Sequence, residues 1–347
     1  MTVKSDVADW AAVERVLSGA VGTVFPSAAL VVIDALQKVK QVSVGAANGG
    51  TIFDLASLTK PLATVSLTMA ALDAGALSLA DEPRPGVTVQ HLLAHASGLP
   101  AWKLLAPAPG FSDARAGIVE AVRREPLESA PGAAARYSDL GFILLGDWLE
   151  RRLGSRLDAL FTERIADPLG LAIGYGPRAA EACAPTEGEL RGVVHDENAR
   201  AMGGVAGHAG LFATAGDVAA LAAVLLATWA GKSEIGFTFS RKGETHFTFP
   251  VLPSTLRRFW SPSGVPGSTW CLGWDRPSAA GSSAGARWPR DGVGHLGFTG
   301  CSLWLDPPRG RAVVLLSNRV HPTRANDRIK AFRPLLHDAI VAALDGA

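Results

Sequence analysis

The apolar residues of this chain change period from one region to the next. Asp6 to Leu17 repeats them at helical spacing and predicts an amphipathic helix. Ala28 to Asp34 and Lys38 to Ala46 are β-rich runs separated by a short polar break, the pattern of a hairpin. At Asp54 to Ser57 a polar-to-apolar switch opens a long helix that Gly75 ends. From Val89 to about Ala230 the pattern is mainly helical, over Val89–Ala94, Asp113–Arg124, Asp139–Leu153, Arg156–Ile165 and Ala215–Trp229, joined by loops rich in Gly and Pro. Ile235 to Val251 alternates Phe and Thr and reads as an inserted hairpin, and Pro253–Trp260 as a short helix. Strand patterns then return at Thr269–Trp274, Gly294–Phe298, Ser302–Leu305 and Ala312–Ser317, and an amphipathic helix over Ala325–Leu344 follows. Strands near both ends with helices between predict one sheet built from both terminal regions, with a helical lobe inserted.

Composition narrows the function. The chain has 347 residues, 48% of them hydrophobic, enough for a large core. Its 33 Lys+Arg stand against 32 Asp+Glu, which gives no general basic field for a phosphate backbone, so nucleic acid is not an expected partner. Cys183, Cys271 and Cys301 show neither a disulfide framework nor C-x-x-C spacing, and a reduced compartment fits them. The N-terminal residues lack an apolar h-region, and the expected location is cytoplasmic. Pro61 to Ala80 has the length of a membrane span, but Asp73, Gly75 and several hydroxyls make it a buried core helix, so no membrane partner is expected.

Candidate chemistry starts at Ser57-Leu-Thr-Lys60. At a helix start, positions i and i+3 share a face, which brings the Lys60 amine within reach of the Ser57 hydroxyl. The helix N-terminus adds unpaired N–H groups for an oxyanion. A capping serine with a surface lysine satisfies the same spacing. Tyr137-Ser138-Asp139 precedes another helix; its phenol can relay protons, or it can be a packing aromatic. His295-Leu296-Gly297 opens a late strand, followed by Phe298, with a glycine that permits close approach of substrate. Only two tyrosines and eight lysines occur in the whole chain, so motifs using them carry more weight.

In this order the S-x-x-K, Y-S-D and H-x-G motifs resemble those of the serine β-lactamase and penicillin-binding-protein superfamily, nearest to class C β-lactamases and their esterase and peptidase relatives. His91–Pro100, Gly141–Gly146, Asp167–Leu171, Val194–Ala199, Gly203–Phe212 and Ser317–Pro322 also look like segments of that family, and the similarity runs from about residue 25 onward, the stretch near 235–250 excepted. The resemblance implies an α+β fold of the β-lactamase/transpeptidase type: a single domain with an antiparallel sheet flanked by helices (about 1–80 plus 265–347) and an all-helical lobe (about 81–264). It implies Ser57 as the acylated nucleophile, Lys60 as its activating amine, Tyr137 as the proton shuttle, and the backbone N–H groups of Ser57 and Phe298 as the oxyanion hole. Asp139, His295 and Gly297 would border the substrate.

Two departures from the family pattern matter. Asp139 stands where class C enzymes usually have asparagine, and His295 where true β-lactamases usually have lysine, which removes a fixed positive charge for a substrate carboxylate. Arg319 is a candidate replacement. The expected function is metal-independent and cofactor-free serine hydrolysis of a small ester, an amide or a D-amino-acid or peptidoglycan-type substrate, resembling esterases and D-aminopeptidases, with weak β-lactamase activity allowed. The alternative is a non-catalytic binding or assembly module on the same fold.

Other signals read as structural. Gly281–Gly285 matches G-x-S-x-G but lies in a Gly/Ser/Ala loop without the strand and helix that a nucleophile elbow needs. His91 and His95 have metal-pair spacing without a third ligand, and His195 and His208 read as loop structure bordering the cleft.

Overall fold

The computed structural model describes residues 10–105, 110, 113–232 and 249–346. In chain order the elements start with α1 (Trp10–Gly19), β1 (Ser27–Asp34), β2 (Gln37–Gly45) and β3 (Phe53–Asp54), then α2 (Ser66–Asp73), α3 (Val89–Leu93), α4 (Ala114–Arg124) and α5 (Asp139–Leu153). The middle of the chain adds α6 (Leu157–Phe161), α7 (Asp167–Leu169), β4 (Gly174–Tyr175), α8 (Glu197–Ala201), β5 (Leu211–Ala213) and α9 (Ala215–Trp229). The last elements are α10 (Pro253–Phe259), β6 (Val293–Leu296), β7 (Ser302–Asp306), β8 (Arg311–Ser317) and α11 (Ile329–Asp345). The inserted hairpin expected at 235–251 lies almost wholly outside the described residues.

Five strands form an antiparallel sheet in the order β2-β1-β8-β7-β6, so β1 pairs with β8 from the far end of the chain, Val31 opposite Val314. β1 is buried on both faces, which explains its unbroken apolar run. Leu30 and Val32 turn toward α1 and α11, where Leu17, Phe332 and Leu336 cover them, and Val31 and Ile33 turn to the opposite core with α9 and α2. β2 closes one edge and carries Lys38 and Lys40, charges that discourage a further strand from adding there.

Two expectations need correction. Thr269–Trp274 is a turn, in which the Cys271 N–H donates to Trp274 O at 2.8 Å. Gly273 sits there at φ +77°, and a Cβ on it would come within 2.2 Å of Val65 Cγ2, so a close approach to the helical core replaces the strand. The helical run from Asp54 to Gly75 is present but irregular, with a 3-10 turn at Ala56–Leu58 and a π-helical stretch at Lys60–Val65 before α2. A small sheet, β3-β5-β4, whose strands are too short for any period to register, was not anticipated. No helix among the described residues is long and apolar enough to cross a membrane.

Candidate active site

Ser57 follows a left-handed bend in the backbone. Ala56 has φ +47°, a left-handed conformation that costs a residue with a side chain on the order of 1 kcal/mol or more and that clusters at functional sites. The Asp54 carboxylate fastens this bend, accepting from Ala56 N at 2.8 Å and from His195 N at 2.7 Å. Burial pushes Asp54 up to about 6, against the pull of those two N–H groups. Ser57 is the second residue of the 3-10 turn, where the first N–H groups of a helix have no intrahelical partner.

One turn on, Lys60 is fully buried. Its Nζ lies 3.0 Å from Ser57 Oγ, 3.1 Å from the His208 carbonyl oxygen and 2.6 Å from Asp139 Oδ1. Burial lowers its pKa, and the neighbouring Asp139 carboxylate opposes that shift. Tyr137 reaches the same serine, its hydroxyl donating to Ser57 Oγ at 2.8 Å. It is held there because Ser138 caps α5, accepting from Gly141 N at 3.1 Å and donating to Pro100 O at 2.7 Å. The ring leans on His95, centroids 4.7 Å apart. Burial, reinforced by Asp139, drives the Tyr137 phenol well above its ordinary range, so it stays protonated at neutral pH.

His295 and Gly297 border the same space from β6 and the turn after it. His295 Nδ1 lies 2.9 Å from the Leu296 carbonyl oxygen, and burial takes its pKa down to about 3. It is therefore a neutral imidazole at pH 7 and cannot supply the fixed charge of a lysine. Gly297 is required by space, since a Cβ would lie 2.5 Å from Leu55 O, directly below the Ser57 turn. Phe298 is half-exposed at the mouth, and no hydrogen bond from its N–H to another described residue is present.

The structure thus brings Ser57, Tyr137, Asp139, His295, Gly297 and Phe298 together around one cavity of about 590 Å³, with the buried Lys60 in contact with Ser57. Trp102 and Trp270 add aromatic wall, and Arg319, Arg324, Lys330 and Arg333 line it from the segment after β8. Arg324 is neutralised by Glu187 and Glu197. Arg319 directs Nε to Phe298 O at 2.8 Å and Nη1 to Arg324 O and Asn326 O at 2.9 and 2.8 Å, with its guanidinium 4.3 Å from the Phe298 ring centroid. Nε and Nη1 hold protein backbone, so these donors shape the wall.

Residue chemistry alone does not reveal the His208 carbonyl that receives Lys60, because a backbone acceptor has no side-chain signature. His208 and Asp196 border the cavity as a pair 2.7 Å apart, while His195 stacks on Phe298 with ring centroids 5.7 Å apart. His91 caps α3, accepting from Thr88 N at 3.2 Å, and its spacing with His95 serves packing. Ser282 of the G-x-S-x-G stretch is buried in a loop and accepts from Ala284 N at 3.1 Å. Among the described residues no group of three or more His, Cys, Asp or Glu is placed to hold a metal ion.

Known proteins resemble this chain in sequence and in fold. The family model described as Beta-lactamase matches residues 13–336. A protein of Escherichia coli O157:H7, provisionally named a D-alanyl-D-alanine carboxypeptidase, is 29% identical over 322 residues, covering 79% of this chain and 70% of the relative. The N-acetylmuramyl-L-alanine amidase of Bacillus subtilis is 29% identical over 316 residues, covering 78% and 68%. Among solved structures, a β-lactamase from Mycobacterium bovis superposes with a TM-score of 0.64 at 23% identity, covering 95% of this chain and 98% of that one.

Proposed function

The chain belongs to the β-lactamase family, and from that premise we propose that it is a serine hydrolase that cleaves amide bonds of peptidoglycan-type substrates through an acyl-enzyme on Ser57. The observation that carries the reading is the shared position of Lys60 Nζ and Tyr137 Oη, 3.0 and 2.8 Å from one serine oxygen in the wall of a cavity. A binding or assembly module has no need of a buried amine and a buried phenol on one hydroxyl. The amide class rests on the two relatives, whose names describe a D-alanyl-D-alanine carboxypeptidase and an N-acetylmuramyl-L-alanine amidase. Small esters, with better leaving groups, would be accepted at the same site.

In the proposed cycle the neutral amine of Lys60, favoured by burial, takes the Ser57 proton as Oγ attacks the carbonyl carbon. The developing oxyanion lies between the N–H groups of Ser57 and Phe298. Tyr137, kept protonated by its surroundings, gives its proton to the departing nitrogen as the C–N bond breaks. Water then attacks the acyl-enzyme and gives its proton to the tyrosinate, and the Lys60 ammonium returns a proton to Ser57 Oγ as the acid leaves. A neutral His295 offers no anchor for a β-lactam carboxylate, so nitrocefin turnover is expected to be slow.

Intact mass after treatment with a fluorophosphonate tests the nucleophile: one adduct on Ser57, lost in Ser57→Ala, is expected. Unchanged mass with a panel of fluorophosphonate and penicillin probes would overturn it. A side-by-side screen of muramyl-peptide amides, D-alanyl peptides, short-chain esters and nitrocefin then ranks the substrate classes, and rapid nitrocefin hydrolysis would contradict the reading of His295.

A further inference from the structure

One buried cation has no place in the cycle above. Arg333 projects from α11, is only 5% exposed, and has no carboxylate partner among the described residues. Burial lowers its pKa to about 10. A guanidinium buried without a counter-charge costs several kcal/mol unless its hydrogen bonds recover it, and a neutral side chain would pack α11 against the sheet at lower cost. What Arg333 touches is the turn that joins β6 to β7: its Nη2 donates to Gly297 O at 3.1 Å and to Cys301 O at 2.8 Å.

The same two carbonyls already have donors. Cys301 O accepts from Gly297 N at 2.7 Å, and Gly297 O accepts from Gly300 N at 3.0 Å. The turn is also tied down at Phe298 O by Arg319 Nε at 2.8 Å, at Thr299 O by Arg319 N at 2.9 Å, and through the Thr299 hydroxyl, which donates to Asp54 O at 2.8 Å. Arg333 is therefore surplus to satisfying the backbone. Its effect is on one particular peptide unit. Gly297 C=O and Phe298 N–H belong to the same rigid plane and point in opposite directions, so a group that grips the oxygen fixes the direction of the N–H. A cationic donor on that oxygen also polarises the amide and strengthens its N–H as a donor.

We propose that Arg333 is a positioning residue for the reaction: by gripping the Gly297 carbonyl it aims and polarises the Phe298 N–H toward the oxyanion that forms on the Ser57-bound substrate. This rests on the assignment of Ser57 and Phe298 above. Arg333 touches no reacting atom. It acts through the peptide plane, and the interaction tightens only as negative charge develops, so its loss lowers kcat more than it raises KM.

The test uses the whole chain as wild type, Arg333→Gln and Arg333→Lys. Fluorophosphonate labelling of wild-type Ser57 is checked first; failure there overturns the nucleophile assignment, and the proposal with it, independently of Arg333. With labelling established, both variants are expected to lose about a hundredfold in kcat with KM within about twofold. The inhibition constant of a boronic acid, which binds serine as a tetrahedral adduct, is expected to rise in the same proportion. Millimolar guanidinium is expected to restore part of the activity of Arg333→Gln. A residue that merely braces α11 would lower the melting temperature and leave kcat and boronate affinity per folded molecule unchanged. Values within twofold of wild type in either folded variant overturn the proposal. Arg333→Lys retains the buried cation and is read by the same criteria if Arg333→Gln does not fold.

Discussion

The central strands and the segment that carries Ser57 are neighbours in space and opposites in construction. β1 and β8 pair in regular register and alternate side chains cleanly between two cores. From Asp54 to Val65 the chain passes through a two-residue strand, a left-handed alanine, a 3-10 turn and a π-helical stretch, with no two turns alike. The first region is where apolar burial accumulates. The second sacrifices regular hydrogen bonding to hold an amine, a phenol and a hydroxyl within 3.0 Å contacts. The Ser57 segment is buried as well, through Leu55, Leu58, Leu62 and Val65, so the contrast lies in hydrogen bonding and in the polar side chains that the proposed chemistry uses, and substitutions should divide along that line.

The sharpest division is expected at Ser57. Ser57→Ala should abolish acylation and reduce turnover by roughly 10⁴-fold or more, with a melting temperature equal to wild type or above it, since the hydroxyl is held by Lys60 and Tyr137 for chemistry. Stopped-flow assays and a thermal melt read both quantities, and a large fall in stability would break the contrast. Tyr137→Phe keeps the ring on His95 and loses the proton, so kcat should drop about a hundredfold with folding little changed.

On the other side, Phe332→Ala removes a buried ring in edge contact with Phe25, centroids 5.3 Å apart. The expected cost is about 3 kcal/mol in urea unfolding, with the fraction of Ser57 labelled at low temperature preserved. A matching loss of activity in the folded variant would show that the two regions are not separable. The smallest effect is expected at Asp139→Asn. The Asp139 carboxylate raises the Lys60 pKa against the depression caused by burial, so removing its charge lets the Lys60 value fall further. If neutral Lys60 is the base, the acid limb of the kcat/KM profile moves to lower pH, while the plateau changes by less than about tenfold. A limb that stays in place or moves to higher pH would rule out Lys60 as the group titrating there.

The regular region was the legible one. Asp139–Leu153 and Ala215–Trp229 are read from sequence at the boundaries they have in the structure, because Ser138 and Thr214 cap long apolar stripes. The five strands of the main sheet fall where β-rich runs lie, and the sheet combines both terminal regions. Thr269–Trp274 misled because bulky apolar residues there fill the core without extending; Gly273 was the cue, since it serves a close approach to Val65. At the site, residue types and spacing locate Ser57, Lys60 and Tyr137, yet they do not report backbone geometry. Neither the left-handed Ala56 nor the His208 carbonyl has a signature in residue type. Arg333 did leave a trace: it falls on the apolar stripe of α11, one turn from Ile329 and from Leu336, where a cation is out of place unless it has a task.

The position of β1 has a consequence for the order in which the molecule can be made. Val31 must wait for Val314 before its second edge is covered, and the two are 283 residues apart in sequence. At roughly 5–20 residues per second of synthesis, the hairpin of β1 and β2 stands for about 15–60 s with its most apolar strand half-paired. During that interval the edge of β1 that β8 will cover is open to pairing with a neighbouring nascent chain. Ser57 is synthesised 241 residues before Phe298, so the two N–H groups of the proposed oxyanion site meet only after the segment between them has been made.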